Sequence, residues 1–310
     1  MNRVLALCVA MMVLPACEQW SRQEAWGPAA WSDNGEQVAV AKLHYERRTQ
    51  LMNLETRNRE FEVYTAPANN MSATSMRGGR LAGSVRTIYS MSALDYVLVD
   101  SWVDTDVGVY RFDQFLSNGE VRQLRQRSDS LNELECSGFR GRNGSATDTT
   151  MIPSPGGLVL AYAYLELSCD GRSLAVEFID AESSGTVDGP NVYPLPENTQ
   201  NRWEDGDTHL FSVYMYSAWT PENTFMVGFE ELIPITESES GLPELQGNTK
   251  GWFFEAGAEP VAFTGMAPEC FSPSTTSAYE NALGQRISSQ GGLLTVGAAS
   301  AEPEVFGCGQ

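Results

Sequence analysis

The sequence predicts an all-β fold built from a repeated hairpin, and three observations carry that reading. A ten-residue pattern recurs five times, starting at Trp31, Tyr89, Pro153, Trp219 and Ile287. Short runs rich in β-branched and aromatic residues fill the stretches between copies, bounded by Gly, Pro, Asn and Asp. Extended helical periodicity is absent, so no long segment offers the apolar stripe that a packed helix needs.

The first copy runs Trp31-Ser32-Asp33-Asn34-Gly35-Glu36-Gln37-Val38-Ala39-Val40. The third, Pro153–Tyr162, and the fourth, Trp219–Gly228, follow it closely, and the copies from Tyr89 and Ile287 are looser. All five put Ser or Thr second and an apolar residue at the eighth and tenth places, except for Gly228. Each reads as a strand, a tight turn and a return strand. The first residue anchors an inner strand, the hydroxyl bonds local backbone, and Pro, Asp, Asn and Gly supply the turn. Between copies, Arg59–Thr65, Val107–Phe112, Glu120–Arg125, Leu174–Ile179, Gly251–Glu255 and Pro260–Thr264 read as further strands. Ser128–Thr149 and Glu197–Asp207 read as exposed loops.

Copies one, three and four resemble the W-S-P-D-G-x-x-I-A-F pattern of TolB-like β-propeller repeats. The resemblance implies four-stranded blades arranged radially, five in number, over residues 28–310. The copies start 58 to 68 residues apart, longer than the roughly 40–50 residues of common propeller repeats, so extended loops are expected. A β-sandwich is the alternative, and the regular spacing favours the propeller. Only 14 residues follow the fifth copy. Ring closure is therefore expected to recruit a strand from the segment before Trp31, paired with the last blade, which hides edge strands.

At the N-terminus, Met1-Asn2-Arg3 carries one positive side chain, Val4–Val13 is apolar, and Leu14-Pro15-Ala16-Cys17 follows. Ten apolar residues span only about 15 Å as a helix, roughly half a bilayer core. Charge, short apolar run and small-residue cut site are the marks of a secretory signal. Leu14-Pro15-Ala16-Cys17 resembles the lipobox of bacterial lipoproteins. That resemblance implies removal of residues 1–16, acylation of Cys17 and a lipidated linker over residues 17–27. Glu18-Gln19 after the cysteine, rather than Asp, points to the outer membrane within that family. The alternative is an ordinary cleaved signal.

The chain carries 40 acidic and 20 basic residues, a net charge of −20, with Lys42 and Lys250 the only lysines. Such a surface repels phosphate backbones and anionic lipid, which argues against nucleic-acid partners. Six cysteines become four once Cys8 leaves with the signal and Cys17 is acylated. Cys136, Cys169, Cys270 and Cys308 in an exported chain read as two disulfides rather than a zinc site, because no C-x-x-C pair exists and only His44 and His209 are present. Four cysteines allow three pairings. The repeat phasing selects Cys136–Cys169 and Cys270–Cys308, each pair flanking a copy in the same way.

Propeller enzymes usually place reactive groups on the innermost strands, and a glycosidase needs paired carboxylates there. The residues ahead of the anchors include Arg86 and Arg286, and only Asp148 is acidic near that ring. There is no G-x-S-x-G elbow, Walker loop, dinucleotide fingerprint after a strand or H-E-x-x-H. Glu204-Asp205-Asp207 with His209 could supply oxygen ligands, but the spacing fits no EF-hand loop and a solvated turn is preferred. Glu230-Glu231 and Glu237-Glu239 read as loop charge, and His44 beside Arg47 and Arg48 as a surface residue. Neither a catalytic set nor a cofactor or metal site is assigned. The expectation is a membrane-attached envelope lipoprotein that binds or scaffolds another envelope protein. The alternative is an enzyme acting on an envelope polysaccharide or peptide. Three carboxylates converging in the channel would favour the enzyme, and an apolar or aromatic loop face would favour binding.

Overall fold

The computed structural model describes residues 20–50, 53–103, 108–128, 134–136, 139–141, 149–168, 171–195, 215–220, 223–237, 243–266, 286–287 and 293–294. All regular structure among them is β. The first sheet is an antiparallel meander of β1 (Ser21–Trp31), β2 (Gln37–Gln50), β3 (Asn53–Pro67) and β4 (Ser75–Ala82). The second holds β5 (Ser84–Met91), β6 (Tyr96–Val103), β7 (Val109–Leu116) and β8 (Val121–Ser128). A short hairpin, β9 (Leu134–Cys136) and β10 (Phe139–Gly141), follows inside the expected Ser128–Thr149 loop. The third sheet is β11 (Thr149–Pro153), β12 (Val159–Ser168), β13 (Gly171–Asp180) and β14 (Thr186–Pro194). The fourth is β15 (Met215–Trp219), β16 (Phe225–Glu237), β17 (Pro243–Phe254) and β18 (Val261–Met266). Finally β19 (Arg286–Ile287) pairs with β20 (Leu293–Leu294) at the place of the fifth copy.

The first strand of each sheet meets the first strand of the next: β1 against β5, β5 against β11, β11 against β15. Sheets that touch through their first strands and fan outward in chain order are the blades of a β-propeller. The amino-acid pattern explains why they stack face to face. Along β6, Val97 and Val99 pack on the first sheet beside Ala39, Ala41, Phe61 and Val63. Tyr96 and Leu98 point the other way, toward Met151, Leu160 and Tyr162 of the third. In β12 the alternation repeats, with Leu160 and Tyr162 facing back and Ala161 and Ala163 facing Phe225, Val227 and Phe229 of β16. A continuous apolar run such as Tyr96–Val99 is what a strand buried on both faces requires.

Each copy of the repeat forms the inner hairpin of its sheet. Trp31 pairs with Val38, Pro153 with Leu160, Trp219 with Phe225 and Ile287 with Leu293. The hydroxyl at the second place accepts from the far side of the turn: Gln37 N–H donates to Ser32 Oγ (2.9 Å), Val159 N–H to Ser154 Oγ (3.3 Å) and Thr224 N–H to Thr220 Oγ1 (3.2 Å). The second copy is shifted. Its turn is Ser92–Asp95, closed by Asp95 N–H on Ser92 C=O, and Met91 pairs with Tyr96. Met91, not Tyr89, therefore occupies the place of Trp31, because Ser90 and Ser92 both satisfy the pattern and only the turn closure chooses between them. Gly228, the exception at the tenth place, lies opposite Gly251. A Cβ on Gly251 would come 1.9 Å from Val227 O, so the strands approach too closely there for any side chain.

All six expected intermediate strands overlap observed ones, while β4 and β14 were not foreseen. Glu230 and Glu231, expected in a loop, continue β16. The first strand reaches back to Ser21, into the expected linker, and pairs along its length with β2. The stretch before Trp31 thus serves as the inner strand of its own sheet, and among the described residues it pairs with β2 rather than with β19 or β20. Cys17, Cys169, Cys270, Cys308, Glu197–Asp207 and His209 lie outside the described residues, as does the side chain of Cys136.

Candidate functional site

On the inner strands the described carboxylate is Glu24, and it is engaged. Its oxygens meet Lys42 Nζ (2.7 Å) and His44 Nδ1 (3.2 Å). His44 Nε2 contacts Glu62 Oε2 (3.2 Å), which also accepts from Tyr64 O–H (2.8 Å). Arg80 donates to Glu62 Oε1 through Nε (3.1 Å) and Nη2 (2.8 Å). This row crosses the first sheet from β1 to β4. Burial pushes the Glu62 carboxyl up, but hydrogen bonds from Arg80, Tyr64 and His44 outweigh it and hold the group at about 2. His44, expected at the surface, is nearly buried between two carboxylates. Nothing in a linear sequence marks such a residue, because its partners are 20 and 18 positions away.

A second charged pair sits where the second and third sheets meet. A bulge between Val85 and Thr87 re-aims Arg86. Its Nη2 donates to Asp100 Oδ2 (2.5 Å) and to Thr149 C=O (3.1 Å), and the guanidinium lies 4.3 Å from the Tyr110 ring centroid. Burial pushes the Asp100 carboxyl up to about 6, with Arg86 pulling the other way. Arg86, noted in the sequence as a basic residue on the ring, is thus a tie between blades. Arg77 reaches from β4 to Asp95, Arg125 from β8 to Glu177, and Arg127 from β8 to Leu165 C=O. Among the described residues no three His, Cys, Asp or Glu side chains are grouped so as to hold a metal ion.

Among the described residues, one site with room for a ligand lies between the third and fourth blades, at the end carrying the hairpin turns. A groove of about 340 Å³ is lined by Ser154, Gly156, Leu158, Phe178, Trp219 and Asn223, among others. The repeat builds both walls. The Ser154–Val159 turn presents Leu158, 55 % exposed, and the Thr220–Thr224 turn presents Asn223. Trp219 is held between them: its Nε1–H donates to Ile152 C=O (3.0 Å), and its ring meets Phe178 edge-on and Phe225 at a tilt. Gly157, at φ +69°, closes its turn by donating to Ser154 C=O, and a Cβ there would strike Met91. Two carboxylates adjoin lining residues: Glu255, next to Ala256 in sequence, accepts from Thr224 O–H (3.1 Å), and Asp188, paired with Phe178, accepts from Gly257 N–H (2.8 Å) across the two blades. The described lining is largely apolar, and it places no base beside Ser154.

A β-propeller is the class this fold defines. No family model matches the chain, and no curated protein matches it. Among solved structures it is similar to the β-propeller domain of the Trilobed protease from Pyrococcus furiosus, at 9 % identity and a TM-score of 0.33, over 77 % of this chain and 72 % of that one.

Proposed function

We propose that this chain is a lipid-anchored binding module of the bacterial envelope, held through Cys17 at the outer membrane, and that its blade 3–blade 4 groove receives a segment of another envelope protein. The observation that carries the reading is the groove itself. It combines an exposed Leu158 with Trp219 and Phe178, and carboxylates adjoin the lining at Glu255, next to Ala256, and at Asp188, paired with Phe178. Apolar walls with carboxylates on adjoining residues favour a peptide that inserts an aliphatic or aromatic side chain and carries Lys or Arg beside it. Rigid hairpin turns present the contact surface with little ordering cost on binding, and the chain's acidity steers a basic partner toward it.

The test is in-cell crosslinking of the lipidated protein in native membranes, comparing wild type with Leu158→Asp. The variant alters an exposed side chain, so folding should be retained. A protein captured by wild type and lost from Leu158→Asp supports the reading. Equal capture by both sends the partner to another face, and loss of membrane retention from wild type ends the lipid-anchor part.

A further inference from the structure

We propose that the first blade carries an anion-binding cleft, centred on Arg59, that takes the phosphate head group of an anionic phospholipid beside the Cys17 anchor. The proposal deepens the lipid-anchor reading and rests on it. A space of about 210 Å³ opens where the first and second sheets meet, at the end opposite the hairpin turns. Tyr45, Thr56, Arg59, Glu60 and Ser84 are among the residues that line it.

The chain departs from regular pairing to place Arg59 there. β3 is bulged against β2 between the His44–Glu60 and Glu46–Arg57 pairs, and Asn58 sits in the bulge at φ +50°. Such a bulge re-aims the side chains beside it. Arg59 is set on the Thr56 hydroxyl, which accepts from its Nε (3.1 Å) and from its Nη2. Arg47 stands opposite Thr56 in the β2–β3 register, and both arginines are exposed. Among the described residues neither of them meets a carboxylate. Glu60, the acid in the lining, is engaged by Arg80 Nη1 (3.3 Å). In a chain with 40 acidic side chains, two neighbouring arginines left without one point to an anion from outside. Guanidiniums beside the hydroxyls of Tyr45, Thr56 and Ser84 suit a phosphate, whose oxygens accept several charge-assisted hydrogen bonds at once.

Chain reach says which phosphate. Trp20 is held at this same end, with the guanidinium of Arg57 4.0 Å and that of Arg48 4.9 Å from its ring centroid. Trp20 follows Cys17 by three residues, so the acylated position lies within about 11 Å of this clamp. Head groups of the leaflet that receives the acyl chains are then the nearest anions. Arg22, exposed on β1, adds to the positive charge there, and basic side chains beside an acyl anchor strengthen attachment to an anionic surface. The net charge of −20 repels anionic lipid, which confines contact to this basic end. The groove between the third and fourth blades, at the hairpin-turn end, then faces away from the bilayer.

Native mass spectrometry tests the idea on the intact protein, purified from cells in detergent and released from micelles doped with phosphatidylglycerol or with phosphatidylcholine. The protein mass reports acylation, so the anchor is read separately from the cleft. Acylated wild type should retain phosphatidylglycerol roughly tenfold or more over phosphatidylcholine, as two arginines at a head group imply. Arg47→Gln combined with Arg59→Gln should abolish the preference, and both side chains are exposed, so folding should be retained. Arg122→Gln, beside the β7–β8 turn at the opposite end, should keep it. Equal retention of the two lipids by acylated wild type, or a preference that survives the double substitution, overturns the cleft. A mass without acyl chains overturns the anchor, and with it the assignment of the phosphate to a neighbouring lipid.

Discussion

Two residues show how burial and partnership set the energetics of this protein at the level of a single side chain. Asp100 is buried, and its carboxyl titrates near 6 instead of 3.8. The folded state therefore holds more protons than the unfolded one between those values, and stability from this group falls as pH rises through that window. We expect the unfolding free energy of wild type relative to Asp100→Asn to drop by up to about 3 kcal/mol between pH 4 and pH 7, read from urea melts. A difference that is flat with pH would show that Asp100 titrates normally. Trp219 is the second case. Trp219→Phe keeps most of the apolar contact with Phe178 and Phe225 but leaves Ile152 C=O without its indole donor. A loss of about 1–2 kcal/mol is expected in the same assay, and an unchanged melt would show that water replaces the donor.

Within a single blade, cross-strand rows and turns do the work. The Glu24–His44–Glu62–Arg80 row ties all four strands of the first sheet, and Glu62 is charged down to about 2. A carboxyl held below its usual 4.5 stabilises the fold at any pH above that value and loses the effect as pH falls toward 2. Glu62→Gln should therefore flatten the acid limb of the stability profile below pH 4.5, and an identical limb in the variant would remove Glu62 from the account. The β16–β17 pairing makes a steric prediction. Gly251→Ala places a Cβ against Val227 O, which no side-chain rotation can relieve. We expect more than about 2 kcal/mol of destabilisation and early hydrogen exchange in β17, whereas a neutral result would mean the strands separate freely.

For the molecule as a whole, the arginines between blades govern behaviour. Arg77, Arg86, Arg125 and Arg127 cross between blades, each ending on a carboxylate or carbonyl of the neighbour. They commit four of the 20 basic side chains in a chain of net charge −20 to holding sheets together. The remaining excess of negative charge repels itself, and raising ionic strength from 0.01 to 0.5 M should raise the melting temperature. A melting temperature that fell with salt would place the inter-blade ion pairs above self-repulsion. The proposed lipid anchor predicts that Cys17→Ser abolishes lipid labelling and membrane retention in cells, and retained labelling would refute it.

Blade hairpins were legible from residues alone because their chemistry is local. Ser32, Ser154 and Thr220 bond backbone within their own turns, and Gly157 answers to its own φ. The runs Tyr96–Val99 and Leu160–Ala163 likewise announce strands buried on both faces. Edge strands β4 and β14 were not legible, since Gly78-Gly79 and Gly189-Pro190 in their middles read as turn chemistry. The phase of the second copy was ambiguous until turn closure selected Ser92 over Ser90. His44 looked like a surface residue until β1 and β3 brought Glu24 and Glu62 to its two nitrogens. The groove needed two blades at once: Leu158 and Trp219 are 61 positions apart in the chain and line one groove only after the third and fourth sheets stack. Local hydrogen bonding and alternation write the hairpin into the sequence, whereas a site made by stacking depends on contacts that no single stretch of chain contains.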